Sequence, residues 1–344
     1  PTQLRAPYCP LRKNLSHDKE TSKTMPAADS GSDGSRTFDP GHEDMIHDLA
    51  MDYYGKRLAT CSSDRLIKIF DVSETGTDER TLQSEIRGHE GPVWQVSWAH
   101  PKFGSILASC SYDRRVCIWK ESPPNQWTKI YEYMHESSVN AIAWAPHEYG
   151  LILACASSDS TVSILSYRDN NNSWEVQKIQ AHNIGCNAVS WAPAVPAGSL
   201  THPQGVTAPP VKRLVTGGCD NMVKVWRFVD SNRWELEEQL DGHTDWVRDV
   251  AWAPGIGLPY TTIASCSQDN TVLIWTQDDR SPSWKKIPLP KFQSVVWRLS
   301  WSIIGNILAV TTGEGKVTLW KESLDGEWKL VSTVTGEGPV TSQT

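Results

Sequence analysis

Gly88-His89-Glu90-Gly91-Pro92-Val93-Trp94-Gln95-Val96-Ser97-Trp98 is followed by Ile106-Leu107-Ala108-Ser109-Cys110-Ser111-Tyr112-Asp113-Arg114-Arg115-Val116-Cys117-Ile118-Trp119, and the chain repeats this pattern. His89 is followed nine residues on by Trp98, and Asp113 six residues on by Trp119. The same spacings join His42, Met51, Asp64 and Phe70, and again His135, Trp144, Asp159 and Leu165. They recur in His182, Trp191, Asp220 and Trp226, and in His243, Trp252, Asp269 and Trp275. A sixth copy keeps Trp301, Glu314 and Trp320 but has lost its His. The acidic positions lie 49, 46, 61, 49 and 45 residues apart, and a period near 45 residues marks a repeat architecture.

Within a repeat the residues alternate. Trp94, Val96 and Trp98 share one face of an extended segment, and Val93, Gln95 and Ser97 share the other. A run of small residues, Ile106 to Ser111, comes next, and Asp113 then turns the chain into Val116 to Trp119. A fourth segment, Trp127 to Tyr131, completes four short strands with polar turns. No long stretch has helical periodicity. The pattern predicts an all-β, six-bladed β-propeller of the WD-repeat type. It spans residues 41–334, with repeats at about 41–87, 88–133, 134–180, 181–241, 242–290 and 291–334. Residues 1–40 read as a disordered tract and 335–344 as a flexible tail. Met25 is a candidate start, with residues 1–24 then a translated leader. The fourth repeat carries an insertion from Pro193 to Lys212, rich in Pro, Gly and Thr, which reads as a surface loop.

The repeated polar residues suit that geometry. A short carboxylate at a strand reversal accepts hydrogen bonds from turn N–H groups. Resemblance to WD-repeat proteins implies that the Asp, the His, a strand Ser or Thr and the strand Trp form a buried network. Its members here are His42 and Asp64; His89, Ser109, Asp113 and Trp119; His135 and Asp159; His182, Thr216, Asp220 and Trp226; and His243, Ser265, Asp269 and Trp275. Thr60 also lies four residues before its Asp. Cys155 and Val310 replace the hydroxyl in the third and sixth repeats, where the network should be incomplete. A hydrolase triad is the rival reading, but a catalytic site is not copied five times along a chain.

Composition narrows the function classes. The formal net charge is −7, from 33 basic and 40 acidic residues, and no dense Lys/Arg stripe accompanies the Trp rings, which argues against nucleic acid. The eight Cys include no C-x-x-C pair, so neither a zinc site nor a disulfide frame is expected. No metal, cofactor or catalytic residue is predicted. No apolar run has the length of a membrane span, so a cytosolic or nuclear location is expected.

Counting segments gives the sharpest clue. The first repeat begins at Gly41-His42, and the last supplies its own fourth segment, Trp328 to Val334. No strand is left over to latch the last blade to the first. The reading therefore includes an open seam, with Met45, Ile46, Leu49, Trp297, Leu299 and Trp301 beside it.

Some segments are more distinctive than generic repeats: His42 to Asp48, Gly88 to Val96, Ile184 to Pro193, Asp245 to Trp252 and Val295 to Ser302. From about Gly41 to Val334 the chain resembles the small WD-repeat propeller subunit of the COPII outer coat, a family shared with the Y-shaped scaffold of the nuclear pore. The resemblance implies an open ring completed in trans, with a partner inserting a β segment as a seventh blade. It implies as partners the large COPII outer-coat subunit, an α-solenoid nucleoporin, and a complex relaying amino-acid sufficiency at the lysosome or vacuole. It further implies peripheral placement at endoplasmic reticulum exit sites, COPII vesicles and the nuclear pore. The rival readings are an enzyme, a closed propeller adaptor for peptide ligands, and the sister open propeller of the same pore scaffold. Against the first stands the lack of any non-repeated His/Asp/Glu cluster or Gly-rich phosphate loop. Against the second, the closing aromatics are followed by Lys120, Arg227, Thr276 and Lys321, with an Asp only at Asp71.

Overall fold

A computed structural model describes residues 38–72, 80–195, 211–229, 233–255, 260–278, 281–335 and 338–339. The expectations for the amino-terminal tract and for most of the 193–212 insertion therefore fall outside the described residues.

Each repeat folds as one antiparallel sheet built from consecutive chain. Blade 1 contains β1 (Ile46–Met51), β2 (Arg57–Ser62), β3 (Ile67–Val72) and β4 (Arg80–Ile86). Blade 2 contains β5 (Val93–Trp98), β6 (Ile106–Ser111), β7 (Arg115–Glu121) and β8 (Trp127–Met134). Blade 3 holds β9 (Val139–Trp144), β10 (Ile152–Ser157), β11 (Thr161–Arg168) and β12 (Ser173–Gln180). Blade 4 holds β13 (Cys186–Trp191), β14 (Arg213–Gly218), β15 (Val223–Val229) and β16 (Arg233–Leu240). Blade 5 holds β17 (Val247–Trp252), β18 (Tyr260–Ser267), β19 (Val272–Asp278) and β20 (Ser281–Pro288). Blade 6 holds β21 (Val296–Trp301), β22 (Ile307–Thr312), β23 (Val317–Glu322), β24 (Trp328–Thr335) and a short fifth strand, β25 (Gly338–Pro339). This last pairing corrects the reading of 335–344 as tail alone: Val334 pairs with Pro339 and Thr335 with Gly338.

The turn between the second and third strands explains the repeated Asp. Its carboxylate receives backbone N–H groups, as when Arg115 N donates to Asp113 Oδ1 at 2.9 Å. The next residue adopts positive φ in every blade: Arg65, Arg114, Ser160, Asn221, Asn270 and Gly315. A left-handed residue is what lets so short a turn reverse the strand.

Apolar burial lies between blades. The second and third strands of one blade face the inner strand of the next. Ala59, Cys61, Ile67 and Ile69 of blade 1 thus share a core with Val93 and Val96 of blade 2. Inner strands pack in succession, β1 on β5, β5 on β9, β9 on β13, β13 on β17 and β17 on β21. Among the described residues no comparable packing joins β21 to β1. Tryptophans reinforce the order by donating backwards. Trp98 bonds the Ala50 carbonyl, Trp144 that of Ser97, Trp191 that of Ala143 and Trp301 that of Ala251, all at 2.9–3.0 Å. Blade 1 has Met51 at this place, and a thioether has no N–H to donate.

Candidate functional site

Two constellations came out of the sequence, and the structure separates their roles. In blade 2 the Trp119 indole N–H donates to Ser109 Oγ at 2.8 Å. Ser109 Oγ lies 2.7 Å from His89 Nε2, and His89 Nδ1 lies 2.9 Å from Asp113 Oδ2. A neutral His with its proton on Nδ1 satisfies the whole chain: Trp gives to Ser, Ser gives to Nε2, and Nδ1–H gives to the carboxylate. Burial would raise the Asp113 carboxyl, but hydrogen bonds from His89 and from the backbone N–H groups of Glu90 and Arg115 outweigh it and hold it at about 2. Asp220 is likewise held at about 2, with burial opposed by His182.

The other blades vary the set. Blade 4 joins His182 to Asp220 at 2.7 Å and to Thr216 at 2.8 Å, with Trp226 donating to Thr216 at 3.0 Å. Blade 5 places His243 2.8 Å from Ser265, which also accepts from Trp275, while Asp269 stands 3.3 Å away and Thr271 comes closer. Blade 1 brings His42 to Asp64 and Thr60 but ends in Phe70, which has no indole N–H. Blade 3 is cut short: His135 reaches Asp159 at 3.0 Å, but its Nε2 is buried without a partner because Cys155 stands where the hydroxyl would be. Blade 6 has no His: its exposed Glu314 pairs with Lys316, and its Trp320 donates to Thr318 instead. Ser109, Thr216 and Ser265 are wholly buried, so no substrate reaches these hydroxyls and the sets act as struts.

One prediction follows for blade 3. Cys155→Ser should supply the missing partner to His135 Nε2 and raise stability by about 1 kcal/mol, the usual net value of one buried hydrogen bond. Denaturant melts of the two proteins check it, and a loss of stability would contradict it.

The second constellation is the boundary between blades 6 and 1. At equivalent places on the inner strands, Val93, Val139, Cys186, Val247 and Val296 are 0% exposed, whereas Ile46 is 42% exposed. Three residues on, Val96, Ile142, Val189, Val250 and Leu299 are 2–8% exposed, whereas Leu49 is 61%. Blade 6 shows the complementary change. Its Ala309, Thr311, Val317 and Leu319 are half-buried, while their counterparts Ala59, Cys61, Ile67 and Ile69 are buried. Apolar faces this open are normally covered in soluble proteins.

The structure places the six predicted seam residues differently. Ile46 and Leu49 are exposed on the inner strand of blade 1, and Met45, Ile46 and Trp297 line a cavity of about 450 Å³ together with Thr311 and Thr312 of blade 6. Leu299 and Trp301 do not belong there. Leu299 sits in the core shared with Ala264, Cys266 and Ile274 of blade 5, and Trp301 is bonded to the blade 5 carbonyl of Ala251. The physical reason is handedness: an inner strand turns these positions to the blade before it, so the side of blade 6 towards blade 1 is formed by its second and third strands. Sequence reasoning missed Ala309, Thr311, Val317 and Leu319. A polar Thr311 where blades 1, 2 and 5 carry Cys61, Cys110 and Cys266 was the available signal.

Among the described residues no group of three or more His, Cys, Asp or Glu could hold a metal. The described cysteines are unpaired thiols, and burial pushes the Cys117 thiol up to about 12.

Five four-stranded sheets and one five-stranded sheet in sequence, several strutted by His, Asp, a hydroxyl and Trp, define a WD-repeat β-propeller. The family described as "WD domain, G-beta repeat" matches residues 30–71, 80–120, 127–165 and 234–276. The chain is 59% identical to the "Protein SEC13 homolog" of Dictyostelium discoideum, over 87% of its own length and 98% of that protein's. It is also 59% identical to the "Protein SEC13 homolog" of Homo sapiens, over 89% and 95%. Against the "Protein transport protein SEC13" of Yarrowia lipolytica it is 54% identical, over 85% and 97%. The chain belongs to the SEC13 family.

Proposed function

We propose that this chain is a non-enzymatic scaffold subunit in protein transport, and that a large partner completes its ring by inserting a β segment between blades 6 and 1. The partner in the COPII outer cage is the large coat subunit. The same surface serves an α-solenoid nucleoporin at the nuclear pore, and the chain also takes part in a complex that relays amino-acid sufficiency at the lysosome or vacuole. The transport role is supported by the names of its relatives, which are protein transport proteins. The observation that carries the insertion is the exposure of Ile46 and Leu49 opposite a half-buried face of blade 6. An entering segment would gain main-chain pairing and apolar burial together, which is strand addition on the scale of a blade. Burial on the order of 2,000 Å² would give an interface of the obligate class. The ring then stiffens its partner at the point of insertion, a task that needs faces and rigidity but no reaction chemistry.

The test is to purify the tagged chain from cells and identify stoichiometric partners by mass spectrometry. The expected result is a large coat subunit whose cross-links fall on β1, β22 and β23. Cross-links confined to the outermost strands β4, β8 or β12 would contradict insertion.

A further inference from the structure

The inner strands carry one register place that holds an acceptor in blades 1, 2 and 5, an Ala in blades 3 and 4, and a cation in blade 6. Asp48, Gln95 and Asp249 pair across their own sheets with Cys61, Cys110 and Cys266. Each accepts the backbone N–H of the next blade's inner strand: Asp48 from Val96 at 3.2 Å, Gln95 from Ile142 at 2.8 Å and Asp249 from Leu299 at 2.9 Å. Blade 6 holds Arg298 at this place, opposite Thr311. A guanidinium offers five donors and no acceptor. Whatever follows blade 6 therefore meets the opposite demand from the one met at those three boundaries.

Arg298 lines the 450 Å³ cavity, and no carboxylate does. Among the described residues it forms no hydrogen bond and no ion pair, although Asp48 and Asp249 act on it through space. Those two carboxylates are turned to backbone donors: Asp48 to Val96, and Asp249 to both Val250 and Leu299. His47 also lines the cavity, and burial followed by the charge of Arg298 lowers its pKa. Arg298 is already largely desolvated, with Asp48 and Asp249 acting on it but neither paired with it, and a segment filling the space beside it would remove the water that remains, so a directly paired acceptor is favoured. A carboxylate meets the fork of a guanidinium with two charge-assisted bonds.

We propose that the inserted segment carries an Asp or Glu on its innermost strand, level with Arg298 and Leu49, and that this carboxylate pairs with Arg298. This specificity rests on the insertion reading above. It makes Arg298 the residue that selects and registers the partner's strand, while Leu49 and Leu319 supply apolar area.

The experiment uses the full chain with its co-purified partner. Arg298→Lys keeps the charge and introduces a primary amine, which a zero-length carbodiimide can join to an adjacent carboxyl. An amide between position 298 and an Asp or Glu of the partner segment is the expected product. Arg298→Met should weaken binding by about 10- to 100-fold, the range of a charged hydrogen bond, measured at a temperature where the variant ring is still folded, because the buried Asp48 and Asp249 lose the cation that acts on them and its melting temperature should fall. An amide only to Asp48 or Asp249, with Arg298→Met binding within twofold of the parent, would overturn the proposal. Leu49→Asp, run in parallel, separates the two claims. If it releases the partner while Arg298→Met does not, only the acidic contact falls; if neither releases it, the insertion reading falls as well.

Discussion

Val250→Asp should unfold the ring or cost more than about 4 kcal/mol, whereas Leu49→Asp at the equivalent place should change the free chain by less than about 0.5 kcal/mol. The two residues occupy one register position on inner strands, opposite Ser265 and Thr60. Val250 is 3% exposed and shares its core with Ala188, Val215 and Val223 of blade 4. A carboxylate there would have no water and no partner. Leu49 is 61% exposed, so its charge stays solvated until something covers it. Once a partner segment does, the same charge is buried against apolar atoms, and partner affinity should fall at least 100-fold. Thermal melts and titrations of both variants give the comparison, and equal destabilisation would mean that the last boundary is packed like the others.

Asp113→Ala should cost about 2–4 kcal/mol, because it orphans several donors at once. His89 Nδ1 and the backbone N–H groups of Glu90 and Arg115 all give to that carboxylate. Losing it also frees His89 to rotate away from Ser109, which Trp119 holds from the other side. Glu314→Ala should cost less than about 0.5 kcal/mol, since Glu314 is exposed and its ion pair with Lys316 is a surface contact. Denaturant midpoints that shifted equally in the two variants would contradict the strut role.

Much of this was legible in the chain. The spacing of His89, Trp98, Asp113 and Trp119 reports the strand turns directly, since each residue type answers a local hydrogen-bonding need. The missing hydroxyl at Cys155 was readable for the same reason, and it coincides with an unpaired His135 Nε2. The exposed inner face of blade 1 was readable in part. Met51 in place of Trp marks the one blade with no indole N–H to reach back. Leu299 and Trp301 were misplaced because period-two alternation tells which residues share a face but not which neighbouring blade that face meets. Thr311, Val317, Leu319 and Arg298 stayed hidden because their meaning lies in cross-strand register and in blade order. An Arg at this register place looks like any other Arg until the three acceptors at equivalent places are aligned with it.

The most direct measurement is the reactivity of a thiol placed at the gap. Leu49→Cys, followed peptide by peptide with a maleimide, should label in the free chain nearly as fast as an exposed thiol and be protected in the complex. Val250→Cys should resist labelling in both, as should the buried native thiols of Cys61, Cys110 and Cys266. A slow reaction of Leu49→Cys in the free chain, or one that the bound partner leaves unchanged, would contradict the account: the ring would then close on itself, and partners would dock elsewhere.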